Sequence, residues 1–286
     1  MNIAKLRTRS IPFLTVCIWG SLYIASGIVL KEIPALLLLF LRFSSSSLIL
    51  LFLAKKKWKR IRREDWGLFL FIGFAGYFLS NAALLLGIQY AGGTFSSLLN
   101  ATSPVVITAF AVMILKESIK KKDIAALLLS VAGAAVIIGM PAGQPSAFGI
   151  ACGIFSVVSW SYVTIYIRKL SAVYPPLQVT AVGMAVAAVF SAPTAWAYVR
   201  LSHTAVHFSA PLLFPLLYIC LICTALSHVM WNHSLARLGA SACAAFYPLQ
   251  PLVSMLLGIL LLQEQVTVPF LIGMVMIIGA MAVHQQ

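Results

Sequence analysis

Ten apolar runs, each about 20 residues long, follow one another along the chain. They lie at 10–30, 34–53, 66–88, 94–115, 122–140, 146–168, 176–198, 211–234, 240–262 and 266–284. A helix needs about 20 apolar residues to cross a bilayer core. The runs are long and do not alternate, so strands are not expected, and an open sheet edge cannot face lipid. The breaks between them carry Pro, Gly or charge: "KEIP", "YAGG", "MPAGQP" and "VYPP". The expected fold class is therefore an all-α integral membrane protein of ten transmembrane helices. Composition agrees: 62% of the 286 residues are hydrophobic and 9% charged, against about 45–50% and about 25% in a soluble domain.

The net charge of +14 could suggest nucleic acid, but its placement argues against that partner. With the first residues inside, the inner segments hold 17 of the 20 basic residues, in Lys5–Arg9, Lys55–Arg63, Lys116–Lys122, Arg168–Lys169 and Arg237. The outer segments hold Lys31 and Arg200, and Arg42 falls inside the second run. This asymmetry predicts that both termini face the cytoplasm. The five cysteines all sit in apolar runs without zinc-type spacing, so neither a disulfide framework nor a metal site is expected. "MNIAKLRTRSIPFLTVCIWGSLYIASG" begins like a signal peptide, but its apolar run is long and "YIASG" cleaves poorly, so it reads as an uncleaved first span.

The chain repeats itself. "YAGGTFSSLLNATSPVVITAFAVMILKES" is answered by "RLGASACAAFYPLQPLVSMLLGILLLQEQ". Gly92 and Gly239, Pro104 and Pro251, and Glu117 and Glu264 each stand 147 positions apart. Trp19 and Trp160, like Pro34 and Pro175, stand 141 apart. This divides the chain into five-helix units at 1–140 and 141–286. Five is odd, so the second unit enters the membrane upside down relative to the first. Inverted repeats of this kind place a central cavity and a substrate site between the halves.

These features resemble the EamA-type transporters of the drug/metabolite transporter superfamily. The resemblance rests on the inverted five-plus-five plan, "Trp-Gly-Ser-x-Tyr" at Trp19–Tyr23, "Leu-Arg-Phe" at Leu41–Phe43, and the paired Pro…Glu segments closing the fourth and ninth spans. It covers the whole chain. It implies a ten-helix fold around a central cavity and transport of small metabolites, often export of amino acids. Small multidrug exporters of the same superfamily rely on a glutamate in the first helix. Here that helix offers Ser21 and Ser26, so an antiporter of lipophilic cations is not expected.

Candidate site residues follow from polar and aromatic groups in helices 1, 3, 4, 6, 8 and 9. Asn100 lies four residues before Pro104, on one helical face. It either caps the backbone carbonyl that the proline frees or touches substrate. Its mate is Tyr247, followed by Gln250 and Pro251. Trp19, Tyr23, Trp160, Tyr162 and Trp231 are candidates for an aromatic cavity wall or for packing; Trp58, Trp66 and Trp196 fit an interfacial belt. Asn81 and His228 are mates 147 apart, and Asn232 adds a further amide. Arg42 lies roughly 12 Å deep at about 1.5 Å per residue. It reads either as counter-ion to a substrate carboxylate or as a tie to helix-end carbonyls. Glu117 and Glu264 end their helices and read, with Pro104 and Pro251, as gating or structural residues. His203 and His207 lack further metal ligands.

The expected activity is passage of a small organic metabolite by alternating access, with no cofactor and with the lipid bilayer as surroundings. The chain could act as a monomer or a homodimer. The alternatives are transport of sugar phosphates, nucleotide sugars or lipid-linked phosphates, which would want several cavity cations, and an intramembrane lipid-modifying enzyme. No HExxH, no GxSxG and no carboxylate pair within a span supports the enzyme.

Overall fold

The structure, a computed structural model, describes residues 3–116, 121–139, 145–201, 208–263 and 267–285. Glu117, Glu264, His203 and His207 lie outside the described residues. The described residues are predominantly helical, without strands. Eight helices are long and apolar enough to cross a membrane. We number the helices α1 (Ile3–Val29), α2 (Ala35–Ala54), α3 (Arg63–Ala91), α4 (Gly93–Leu115), α5 (Lys121–Gly139), α6 (Ala147–Val173), α7 (Pro176–Leu201), α8 (Ala210–Leu238), α9 (Ala240–Leu262) and α10 (Val268–Gln285). Of these, α5 and α10 fall outside the set of eight.

The boundaries follow from local chemistry. Pro34 precedes α2 at φ −59°, an angle its ring imposes. Ser146 opens α6 by accepting the Gly149 N–H at 3.0 Å, a side-chain cap for one of the first-turn donors. Gly92 joins α3 to α4 at φ 89°, and Gly239 joins α8 to α9 at φ 86°. These angles suit glycine because it has no Cβ. Lys116 and Gln263 close α4 and α9 at φ 55° and 54°, left-handed positions that glycine or asparagine usually fills.

Four helices are irregular inside. Ile72–Ser80 in α3 and Tyr218–Leu226 in α8 are π-helical. α4 is two pieces, Gly93–Asn100 and Ser103–Leu115. α9 is likewise Ala240–Ala244 and Leu249–Leu262. Each irregularity in one half has a partner in the other.

Packing shows the same exchange. α2 runs along α7 and α5 along α10. α1 packs on α9 and α6 on α4; α3 packs on α6 and α7, and α8 on α1 and α2. Exchanging α1–α5 with α6–α10 maps these pairings onto one another. The buried interior is mainly apolar but also holds large polar and aromatic side chains, with Trp231, Arg42, Tyr23, Tyr77 and Tyr247 among its largest hidden ones. The outside is apolar: Leu48 and Phe52 are each 70% exposed and Phe214 80%, the face a bilayer would solvate. Trp58, Trp66 and Trp196 are exposed as well.

At one end, the segment between α2 and α3 is clasped to the α6–α7 junction. Lys59 N–H donates to Gln178 Oε1 at 2.9 Å, and Gln178 Nε2 donates to the Lys59 carbonyl at 2.7 Å. Tyr174 donates its hydroxyl proton to Asp65 and accepts the Arg62 N–H at 3.2 Å.

The tightest constraint on α4 is its first residue. A Cβ on Gly93 would lie 2.7 Å from the Tyr23 carbonyl oxygen, a backbone atom that cannot swing aside. Gly93→Ala is expected to destabilise the protein by about 1–3 kcal/mol. Gly67→Ala, with nothing within 4 Å, is expected to leave it unchanged or slightly more stable. Thermal unfolding of the purified variants in detergent checks both.

Candidate substrate cavity

Six helices converge on one cavity near the middle of the bundle. α1 supplies Trp19, Leu22 and Tyr23; α3 supplies Ser80, Asn81 and Leu84; α4 supplies Asn100. α6 supplies Ser156 and Trp160, α8 supplies His228, and α9 supplies Gln250, with Tyr247 from the turn that breaks α9. The space open to the centre of a water molecule is about 40 Å³. That admits a few waters, each needing roughly 10–15 Å³ on this measure. A metabolite-sized solute would have to spread the walls.

The irregular helices build the polar side of this cavity. In a π-helical turn the backbone bonds shift to i→i+5, which leaves carbonyls short of a partner. Side chains repair the shortage in both halves. Asn81 Nδ2 donates to the Gly76 carbonyl at 3.2 Å. Its repeat mate His228 places Nδ1 2.9 Å from the Thr224 carbonyl. A carbonyl can only accept, so Nδ1 carries the proton, and the Nε2 of a neutral ring is left as an acceptor.

The break in α4 answers the question that Pro104 raises. Asn100 ends the first piece, and Pro104 sits in the first turn of the second, where its missing N–H is not needed. Asn100 does not cap a freed carbonyl. Its Nδ2 donates to Gln250 Oε1 at 2.8 Å, and its Oδ1 accepts from Ser103 Oγ at 2.9 Å. The hydroxyl of Tyr23 donates to the same Gln250 oxygen at 3.2 Å. One carbonyl oxygen of the second half thus gathers two donors of the first. The Nε2 of Gln250 is buried and has no partner.

Aromatic rings form the other side. Trp19 lies 5.2 Å from His228, 5.0 Å from Trp231 and 6.1 Å from both Trp160 and Tyr247, between ring centroids. Its indole N–H donates to Ser227 Oγ at 2.9 Å. The Trp160 indole donates to the Tyr247 hydroxyl at 2.7 Å. Such edge and tilted contacts contribute about 0.5–1.5 kcal/mol each beyond burial.

Other sequence candidates fall elsewhere. Tyr162 faces Phe71 and Phe110 and pairs its hydroxyl with Tyr166 at 3.0 Å, away from the cavity. Trp231 stands behind Trp19 and Tyr247. Asn232 donates to Tyr77 at 2.9 Å and Thr180 at 2.8 Å, knitting α8 to α3 and α7. Arg42 is fully buried between α2 and α8, with its Nε on Thr224 Oγ1 at 3.0 Å. It does not line the cavity. Pro251 is buried within the second piece of α9. Sequence reasoning missed Ser80, Ser156, Ser227, Leu22 and Leu84. Ser80 could have been found, because it stands 147 positions before Ser227 and beside Asn81.

The comparisons with known proteins bear on this architecture. The model of the EamA-like transporter family matches residues 11–139 and again 147–284. The chain belongs to the EamA-like transporter family. It is similar to the uncharacterized transporter YetK of Bacillus subtilis (strain 168), at 27% identity over 275 residues, covering 92% of this chain and 82% of that one. It is also similar to the uncharacterized transporter YvbV of the same organism, at 26% identity over 280 residues, covering 97% and 91%. A crystal structure superposes with a TM-score of 0.76 at 20% identity, covering 97% of this chain and 96% of its own. That likeness supports the fold alone. The EamA chain is thus a multi-pass membrane transporter, which accounts for an apolar exterior around a polar cavity.

Behind the wall of this EamA cavity, Ser227 holds Trp19. Ser227→Ala would leave a buried indole N–H unpaired, and is expected to lower stability by about 1–3 kcal/mol. Thermal unfolding followed by tryptophan fluorescence checks this, with Ser227→Thr expected to retain most of the stability.

Proposed function

We propose that the protein exports a small organic metabolite, an amino acid or a related compound, across the bacterial inner membrane by alternating access. The observation that carries this reading is a cavity whose walls come from both halves and whose free groups are few and polar. Gln250 Nε2 offers a donor and His228 Nε2 an acceptor, amid Trp19, Trp160 and Tyr247. That set suits a solute carrying both an amino-type donor and a carboxylate-type acceptor on an apolar body.

In this reading α5 and α10 also cross, giving ten spans with both termini cytoplasmic. The symmetry of the packing supports an inverted repeat. A chain that enters at α1 and crosses five times begins α6 from the far side, so exchanging the halves reverses direction. Rocking the halves would break the Tyr23–Gln250–Asn100 bonds and the Trp19–Ser227 bond, all of which join one half to the other. Bound solute replaces some of those bonds, which couples occupancy to opening.

The lining offers no Lys or Arg, which counts against sugar phosphates, nucleotide sugars and lipid-linked phosphates as solutes. Monomer and homodimer both accommodate the mechanism, since the cavity is complete within one chain.

The test is flux in proteoliposomes loaded with a panel of labelled amino acids. Protein-containing vesicles are expected to lose label faster than empty ones for at least one solute. Asn100→Leu and Tyr247→Ala are each expected to reduce flux by about tenfold or more. Because Tyr247→Ala also unpairs the Trp160 indole and empties a buried site, at a cost of about 3–5 kcal/mol, flux is compared at equal amounts of folded protein. Equal release from protein-containing and empty vesicles across the panel would overturn the reading.

A further inference from the structure

Arg42 is wholly buried among the helices. Its Nε donates to the Thr224 hydroxyl, which donates onward to the Ile219 carbonyl at 2.7 Å within the π-helical part of α8. The remaining donors of the guanidinium fork, on Nη1 and Nη2, have no partner. The cation lies 5.6 Å from the centroid of the Phe43 ring, a contact that softens the charge without satisfying any N–H. Nearby polar groups point elsewhere. Ser46 donates to the Cys220 carbonyl at 2.8 Å, and the thiols of Cys220 and Cys223 are directed at the Leu41 and Ile18 carbonyls. Among the described residues the ion pairs are those of Arg62 with Glu64 and Asp65, so no carboxylate seen there compensates Arg42.

Arginine cannot escape the problem by losing its proton. A cation held away from water requires a counter-charge with hydrogen-bond acceptors. Two adjacent nitrogens with free N–H groups form a fork that matches a halide or the two oxygens of a carboxylate. One positive charge compensates one negative charge, which disfavours phosphate or sulfate. Thr224 links Arg42 to the cavity wall: its hydroxyl accepts from Arg42 Nε at 3.0 Å and its carbonyl accepts from Nδ1 of His228 at 2.9 Å, and His228 lines the cavity. An ion on the guanidinium therefore acts on the cavity wall.

We infer that Arg42 is the seat of a small monovalent anion, bound by Nη1 and Nη2 at the junction of α2 and the π-helical segment of α8. The anion is a halide, because Arg42 does not line the cavity in which the solute would sit, and this inference stands without the transport reading.

The experiment measures the thermal midpoint of the purified full-length protein in detergent at constant ionic strength, starting in gluconate, a polyhydroxy anion far larger than a halide. Chloride, bromide and acetate are then titrated in separately. Because an anion that binds only the folded state raises its stability by mass action, the midpoint is expected to climb by several degrees and saturate. Saturation with halides identifies the resident ion; saturation with acetate alone would overturn the halide assignment. Arg42→Met keeps an extended apolar stem without the charge and is expected to give a flat response, while Arg42→Lys retains a weaker one. Bromide-soaked crystals of the unaltered protein provide a readout that does not depend on a variant folding: an anomalous peak is expected beside the guanidinium. A flat response of the unaltered protein to all three anions, an Arg42→Met variant that responds like the unaltered one, or bromide peaks only elsewhere would each overturn the inference. None of these outcomes depends on flux, so failure here is separable from failure of the transport reading.

Discussion

The structure depends on one constraint: in lipid, a backbone N–H or C=O has no water to turn to. Helices satisfy these groups internally, so the lipid-facing surface can be apolar side chains such as Leu48, Phe52 and Phe214. Any departure from helical bonding must then lie inside, where side chains can complete it. The π-helical segments of α3 and α8 and the breaks in α4 and α9 obey this rule. They also deliver the polar groups. Asn81 and His228 are at the cavity because they repair their own helices, and Asn100 and Gln250 are there because the breaks turn them inward.

The scaffold is symmetric while the chemistry on it is not. Asn100 and Ser103 in α4 stand where Tyr247 and Gln250 stand in the second half. Trp19 bonds to Ser227 across the halves, but Trp160 bonds within its own half to Tyr247. In the proposed alternating-access reading, equivalent backbones would give two end states of similar energy. Unlike side chains let the cavity present a donor at one place and an acceptor at another.

Much of this was legible in the chain alone. The ten apolar runs, the glycine pair at 92 and 239 and the proline pair at 104 and 251 follow from length, period and spacing, which local chemistry dictates. The roles of Asn100, Tyr162 and Arg42 were not legible. Asn100 was set beside Pro104 by helical spacing, yet the helix breaks between them. Tyr162 shares a helix with Trp160 but points to Phe71 and Phe110. The π-helical segments Ile72–Ser80 and Tyr218–Leu226 were not read from the spacing of apolar residues, which an i→i+5 bonding pattern leaves unchanged.

The sequence by itself determined that this chain is helical, membrane-embedded and duplicated, because burial in lipid forces long apolar runs and a repeat leaves matching residues at a fixed offset. Only the tertiary structure decided which polar groups meet. The Gln250 oxygen collects Tyr23 and Asn100 from far along the chain, and Arg42 is sealed against α8 and not opened to the cavity. Those outcomes depend on how helices rotate and pack against one another, a property of the assembled bundle that no single segment encodes.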